Sequence, residues 1–110
     1  MIQATLKMSF APQTIDEALQ ILCSMIERIR AESGCISCSV YHDTENENLV
    51  VFEEKWRSDG DLQSHLRSEC YRRVLLVMEM AERPPDIRFD TITDSSGVEI
   101  IEKARTKKRQ

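Results

Sequence analysis

Cysteine and histidine are the side chains of this sequence best suited to bind a metal or to react, and several of them gather in the stretch GCISCSVYHD. Cys35 and Cys38 have a C-x-x-C spacing, and His42 follows four residues after Cys38. This spacing is typical of a zinc site or of a dithiol redox pair. A zinc site needs a second pair of ligands, and the remaining cysteines, Cys23 and Cys70, have no paired neighbour. We therefore expect no metal site.

The redox interpretation conflicts with the predicted local structure. A reactive C-x-x-C pair opens a helix, whose N-terminus stabilises the thiolate. Here β-branched and aromatic residues predict a strand that begins at Cys35. Residues three apart on a regular strand point to opposite faces, so Cys35 and Cys38 would converge only on a bulged strand. The pair is therefore interpreted as structural, with Cys38 as a small apolar filler of the core.

Composition limits the class of protein. The 110 residues are enough for one domain with its own core, and the net charge of −4 argues against a nucleic-acid partner. No segment approaches the roughly 18 apolar residues of a membrane span, and the N-terminus lacks signal-peptide features. We therefore expect a cytoplasmic protein with free thiols and no membrane partner. A solvated basic tail closes the chain, with Lys103, Arg105, Lys107, Lys108 and Arg109.

Hydrophobic periodicity predicts the elements that must position these residues. Residues 2–10 alternate between apolar and polar side chains, which predicts a strand with one buried face. Thr14 and Glu17 have the spacing of a capping box, and the apolar residues that follow recur at helical spacing. Gly34 is predicted to end this helix in a left-handed conformation.

The second half of the chain begins with a predicted hairpin. Strands over residues 35–43 and 49–56 flank the polar turn TENEN, and Ser58 or Asp59 can cap a short helix after them. A further helix is predicted before Pro84 and Pro85, followed by a strand over residues 86–93 that places Ile87, Phe89 and Thr91 on one face. Ser96 and Glu99 favour a short C-terminal helix.

The order β-α-β-β-α-α-β predicts an α+β fold, a ferredoxin-like split βαβ antiparallel sheet with helices on one face. The other face carries Val51 and would remain open, which favours a homodimer formed through this face. We expect the domain to occupy residues 1–94 and a C-terminal extension to occupy residues 95–110.

Residues 34–73 resemble the antibiotic biosynthesis monooxygenase family of small dimeric α+β barrels. The matching positions are Gly34-Cys35, Val40-Tyr41, the turn from Asn46 to Asn48, Glu54, Trp56, Leu62, His65-Leu66, Ser68 and Tyr71-Arg72. The resemblance implies a dimeric α/β barrel with a pocket between the sheet and the helices of each subunit. It also implies oxidation of small phenolic or quinol-type aromatics by molecular oxygen, with neither a metal nor a flavin as cofactor.

The resemblance assigns candidate roles to residues of this pocket. It implies that Trp56 lines the pocket and that His65 acts as a base. The alternative for Trp56 is a residue that only packs the core, and the alternative for His65 is a solvent-facing histidine or a residue that packs its helix. It implies that Tyr71 contacts the substrate, and that Arg72 and Arg73 hold an anion at the pocket mouth. The alternative for the two arginines is the solvated side of an amphipathic helix.

Two further positions of the implied substrate pocket depart from the family pattern. Phe52 and Leu62 stand where the characterised monooxygenases have an Asn and a Tyr that handle a phenol oxygen. These losses favour an alternative function, a non-catalytic dimer that binds a small ligand or serves a stress response. An isomerase of small metabolites is a third possibility, and it would need His65 as a base inside the pocket.

Overall fold

The computed structural model describes residues 1–107, and side chains up to residue 106. The elements are β1 (Ile2–Ser9), α1 (Ile15–Arg30), β2 (Cys35–His42), β3 (Leu49–Trp56), α2 (Asp59–Leu66), α3 (Tyr71–Met80), β4 (Asp86–Thr91) and α4 (Val98–Lys107). This order confirms the predicted series of elements, including the C-terminal helix. Lys108 and Arg109 of the predicted basic tail lie outside the described residues, whereas Lys103 and Arg105 are exposed.

The four strands form one antiparallel sheet in the order β2-β3-β1-β4, which confirms the predicted α+β, ferredoxin-like fold. β1 and β3 are the inner strands, and Met8 lies opposite Val50 while Ala4 lies opposite Glu54. On the edge strand β4, Ile87 lies opposite Leu6 of β1, and its alternate neighbours Phe89 and Thr91 share this face. The face predicted for these three residues is therefore confirmed.

The core lies between one face of this sheet and the helices α1, α2 and α3. Alternate side chains of β1 and β3 enter it, as period two requires. Helix α1 contributes a stripe at helical spacing, consisting of Ile15, Ala18, Leu22, Met25 and Ile29. The opposite face of the sheet carries Val51 together with Leu49 and Tyr41, and also polar side chains such as Thr5 and Lys7.

Both predicted boundaries of α1 need correction. Thr14 precedes the helix with φ −109° and ψ −25°, which is close to helical backbone, and its side chain makes no capping hydrogen bond within the described residues. The predicted capping box with Glu17 is therefore wrong. Instead, the carbonyl of Ala11 accepts hydrogen bonds from the backbone N–H groups of Thr14 and Ile15, at 2.9 and 3.1 Å.

Gly34 has the predicted left-handed conformation, with φ 84°, but it does not end the helix. Helix α1 stops at Arg30, and Gly34 shapes the turn that leads into β2. Its carbonyl accepts a hydrogen bond of 2.8 Å from the Arg57 backbone N–H, and a Cβ at this position would collide with the Asp61 carboxylate. Glycine is therefore required by both backbone angle and space.

Strand β2 contains the bulge on which the cysteine geometry depends. Cys35 pairs with Trp56 and Ser37 pairs with Lys55, so Ile36 is the extra residue. The bulge brings Cys35 and Cys38 to the same face of the strand, where a regular strand would separate them. Cys38 is fully buried, as predicted for a core filler, and burial raises the pKa of its thiol to about 12. Both thiols are therefore protonated and unreactive at neutral pH, since burial also raises the pKa of Cys35.

Candidate functional site

A cluster of ionisable side chains lies inside the otherwise apolar core. His65 of α2 is fully buried between Glu54 of β3 and Glu32 of the turn that follows α1. Its Nε2 atom lies 2.8 Å from Glu54 Oε2, and its Nδ1 atom lies 2.9 Å from Glu32 Oε1. We call these three residues the carboxylate–histidine cluster.

Local sequence explains how two of these side chains reach the core. Glu54 is in phase with Val50, Phe52 and Trp56 on the buried face of β3, and it lies opposite the small residue Ala4. Alternation along a strand therefore directs its carboxylate inward.

Helix α2 carries the imidazole to this carboxylate. The Ser58 side chain accepts a hydrogen bond of 3.2 Å from the Asp61 backbone N–H, which caps the helix as predicted. Leu62 and His65 are three residues apart and share the buried face of this helix. The cap therefore fixes where His65 enters the core.

Two aromatic residues enclose the imidazole. The Trp56 indole stacks on the His65 ring with 4.5 Å between ring centroids and 28° between planes. Its Nε1 atom donates a hydrogen bond of 3.2 Å to Glu54 Oε1, so both oxygens of Glu54 are bound. Tyr71 meets the His65 ring edge-on, with 5.1 Å between ring centroids. The imidazole is thus held by packing as well as by hydrogen bonds.

The contacts of His65 favour its charged form. Burial lowers the pKa of His65, but the hydrogen bonds and charges of Glu54 and Glu32 outweigh burial, so the pKa is raised above its ordinary value. Each ring nitrogen faces a carboxylate, and an imidazolium donates from both nitrogens. In this charged form His65 would have no free lone pair and would act as a hydrogen-bond donor, not as a base.

Tyr71 is the fourth polar group beside the cluster. Burial, with the nearby charge of Glu54 as a second cause, raises the pKa of the Tyr71 phenol to about 12. Tyr71 is therefore neutral at physiological pH and adds no charge to the cluster.

The structure brings several of the residues predicted for the site together. Trp56, His65 and Tyr71 are in direct contact, and Phe52 and Leu62 are buried in the same core cluster. Arg72 and Arg73 are exposed on α3, outside this cluster, so their contact with an anion stays a prediction. His65 is buried, which satisfies the geometric condition set for an isomerase, but both of its nitrogens are occupied.

Sequence reasoning did not identify either carboxylate partner of His65. Glu54 matched the family pattern without an assigned role, and its phase with Phe52 and Trp56 was the signal that could have placed it in the core. Glu32 had no such signal, because it lies in a turn and its contact with His65 joins residues 33 positions apart.

Three findings apply to the part of the chain that the structure describes. Residues 1–107 contain no group of three or more His, Cys, Asp or Glu side chains arranged to hold a metal ion. Over the same range no cavity is found, so the structure shows no open pocket of the kind that the resemblance implies between the sheet and the helices. No helix among these residues has the length and apolar character needed to cross a membrane.

The fold and the buried cluster define a small ferredoxin-like α+β domain with ionisable groups in its core. The family model of the antibiotic biosynthesis monooxygenases matches residues 1–75, which is most of this domain. The chain belongs to the antibiotic biosynthesis monooxygenase family.

Two solved structures and a curated relative are similar to this chain. Rv0793 from Mycobacterium tuberculosis is 25% identical, with a TM-score of 0.79 over 87% of this chain and 98% of its own. A conserved protein from Methanosarcina mazei Go1 is 28% identical, with a TM-score of 0.76 over 81% of this chain and 89% of its own. The uncharacterized protein sll1783 of Synechocystis is 32% identical over 69% of this chain. The chain spans 48% of the length of that relative.

Proposed function

We propose that this protein is a cofactor-independent monooxygenase that oxidises a small aromatic, phenolic or quinol substrate with molecular oxygen. The observation that carries the proposal is the position of His65, which is fully buried with one ring nitrogen against Glu54, the other against Glu32, and its ring stacked on Trp56. Burying charged groups is expensive even when they are paired, and apolar residues of similar size are often at least as stable. Family membership supplies the reaction class to which this cluster would contribute.

The proposed reaction balances without an external reductant. A phenol with a free ring C–H reacts with O₂ to give a quinone and water, and a quinol gives a hydroxyquinone and water. One oxygen atom enters the ring and the other leaves as water, while the substrate supplies all four electrons. The protein must stabilise the electron-rich phenolate that reduces oxygen, and a buried cationic donor does so strongly.

The geometry changes the role proposed for His65. Because both ring nitrogens of His65 already face carboxylates, the proposal assigns it the stabilisation of the phenolate oxygen and not the role of a base. Trp56 provides a flat wall for the aromatic ring, and Phe52, Leu62 and Tyr71 provide its apolar surroundings. Arg72 and Arg73 are proposed to attract the anionic substrate from solvent.

The proposal also includes a homodimer. The open sheet face that carries Val51, Leu49 and Tyr41 is proposed to pair with the same face of a second copy in the cytoplasm. The domain is proposed to occupy residues 1–94, with residues 95–110 as an extension.

Oxygen uptake with 1,4-naphthohydroquinone tests the proposed function. We expect uptake above the protein-free rate, with one atom of ¹⁸O₂ in the hydroxyquinone product, and a fall of about 10²-fold in Trp56→Ala. His42→Gln, which alters an exposed histidine, is the matched control and should keep the wild-type rate. Uptake equal to the protein-free rate across a panel of phenols and quinols would contradict the proposal.

A second candidate function is a non-catalytic dimer that binds a small ligand. Two observations favour it: every buried side-chain nitrogen or oxygen of the described residues has a partner within the chain, and Phe52 and Leu62 replace polar family residues. Under this function a phenol binds and shifts the unfolding midpoint, but oxygen uptake stays at the protein-free rate.

A further inference from the structure

The two carboxylates of the carboxylate–histidine cluster are held very differently. Glu54 lies on an inner strand, its side chain is 2% exposed, and its two oxygens bind His65 and Trp56. Glu32 lies in the turn between α1 and β2, its side chain is 24% exposed, and it reaches His65 through Oε1. Moving Glu32 into water therefore disturbs less structure than moving Glu54.

We propose that Nδ1 of His65 is the ligand-binding atom of this site, and that the oxygen of an acidic aromatic hydroxyl takes the place of the Glu32 carboxylate there. This inference rests on the proposed function, because it names the atom through which that function would engage a phenol. Nε2 remains bound to Glu54 and keeps the ring in position.

A phenolate oxygen is chemically suited to the position that the Glu32 carboxylate occupies beside Nδ1 of His65. Glu32 presents an anionic oxygen that accepts a hydrogen bond from Nδ1–H, and a phenolate presents an oxygen of the same charge and the same acceptor role. The phenol O–H bond breaks and its proton passes to a base in the surrounding water, while the Glu32 carboxylate moves out to solvent and Nδ1 keeps its own proton. The total charge is unchanged, and the step requires no oxidant.

Among the contacts that the structure describes for His65, the one with Glu32 is the best placed for this exchange. Trp56 covers one face of the ring, Tyr71 approaches it edge-on, and Glu54 occupies Nε2 in the interior. The remaining contact of the ring with an ionisable group is Glu32, which is also the member of the cluster that reaches solvent. Because Glu32 fills the position itself, the ligand enters as Glu32 leaves.

The difference between the Glu32 and Glu54 contacts can be tested by the exchange of the two imidazole protons of His65 with water. In protein labelled with ¹⁵N-histidine, we expect the Nδ1–H proton of His65 to exchange at least tenfold faster than the Nε2–H proton, because opening at Glu32 is local. Equal rates, or faster exchange at Nε2, would overturn the inference.

Binding of 1-naphthol under nitrogen tests the displacement. Glu32→Ala removes the competing carboxylate, so we expect 1-naphthol to bind about tenfold more tightly than to the wild type and to shift the Nδ1 resonance more than the Nε2 resonance. Glu27→Ala removes an exposed carboxylate of α1 and should leave binding unchanged. Glu32→Gln keeps the side-chain shape without the charge, and it should also bind more tightly if Glu32→Ala fails to fold. Unchanged or weaker binding in a folded Glu32 variant would overturn the inference.

These measurements separate this inference from the proposed function. If 1-naphthol binds at Nδ1 but no phenol or quinol supports oxygen uptake, the proposed function fails and the inference stands. If oxygen is consumed while the Nδ1 resonance is unaffected by 1-naphthol, the inference fails and the proposed function stands.

Discussion

The paired strands β1 and β3 both contribute side chains to the same core, but the chemical character of those side chains differs. Facing the helices, β1 presents Ala4, Leu6 and Met8, all apolar. Opposite them, β3 presents Glu54, Phe52 and Val50 at equal depth. The contrast shows that the buried face of β1 only packs, whereas β3 also brings a carboxylate, Glu54, to within 2.8 Å of His65 Nε2 in the core.

Among changes to the residues that contact the buried face of β3, His65→Leu should lower the stability of the protein most. It leaves the Glu54 carboxylate buried without its cationic partner, so we expect a loss of about 3–5 kcal/mol in the free energy of unfolding. Urea denaturation at pH 7 measures this loss. His42→Leu, at an exposed histidine, should stay within about 0.5 kcal/mol of the wild type. A loss below about 1 kcal/mol in His65→Leu would show that the charges are not tightly coupled.

Glu54→Gln should have the next largest effect. The amide still accepts a hydrogen bond from Nε2–H but carries no charge, so we expect a loss of about 1.5–3 kcal/mol at pH 7. Leu6→Ala, on the opposing strand, should lose about 2–5 kcal/mol through the cavity it creates. Urea midpoints at several pH values separate the two causes: the Glu54 loss should vary with pH and the Leu6 loss should not. A Glu54→Gln loss that is flat with pH would contradict the charged pairing.

A change at Gly34 tests the turn that carries Glu32. Gly34→Ala forces a side chain into a left-handed backbone and against the Asp61 carboxylate, so we expect a loss of about 1–2 kcal/mol or more. Gly60 lies in helix α2, and an added Cβ there would meet Ser58 Oγ at an ordinary contact distance of 3.8 Å, so Gly60→Ala should be neutral or gain up to about 1 kcal/mol. Thermal unfolding of both variants makes the comparison, and equal stabilities would mean that the turn adapts to a side chain.

The pH dependence of stability should be the smallest effect and should trace to His65. Its folded pKa is raised, so its contribution is fully present below the unfolded pKa of about 6.5 and is lost as pH rises through the folded pKa. Between those two values the free energy of unfolding should fall by up to about 1.4 kcal/mol per pH unit. His65→Gln should lack this fall, and a wild-type stability that rises over this window would contradict the assignment.

The parts of the molecule that sequence reasoning predicted well depend on local periodicity. Alternation in β1 and β3 and the helical stripe of α1 fixed the order of elements and the fold, because burial of one face determines each pattern. The side of β2 on which Cys35 lies could not be predicted, since the bulge at Ile36 reverses it. The Thr14 cap was predicted wrongly because the turn from Ala11 satisfies the same N–H groups.

The candidate site was predictable only in part. Trp56, His65 and Tyr71 were identified through the family pattern, and the structure brings them into contact. The alternation of side chains along β3 could have placed Glu54 on the buried face, but a charged side chain is ordinarily assigned to the solvent face. Glu32 depends on how the turn folds over α2, which no local pattern encodes.

The protonation state of His65 tests the central claim most directly. A ¹H–¹⁵N correlation spectrum of the histidine side chains, recorded from pH 5 to 9, reports whether each ring nitrogen carries a proton. We predict that at pH 7 both nitrogens of His65 are protonated, because each of them lies within hydrogen-bond distance of a carboxylate. A neutral His65 at pH 7, with one nitrogen unprotonated, would contradict the claim that β3 holds a charged histidine in the core.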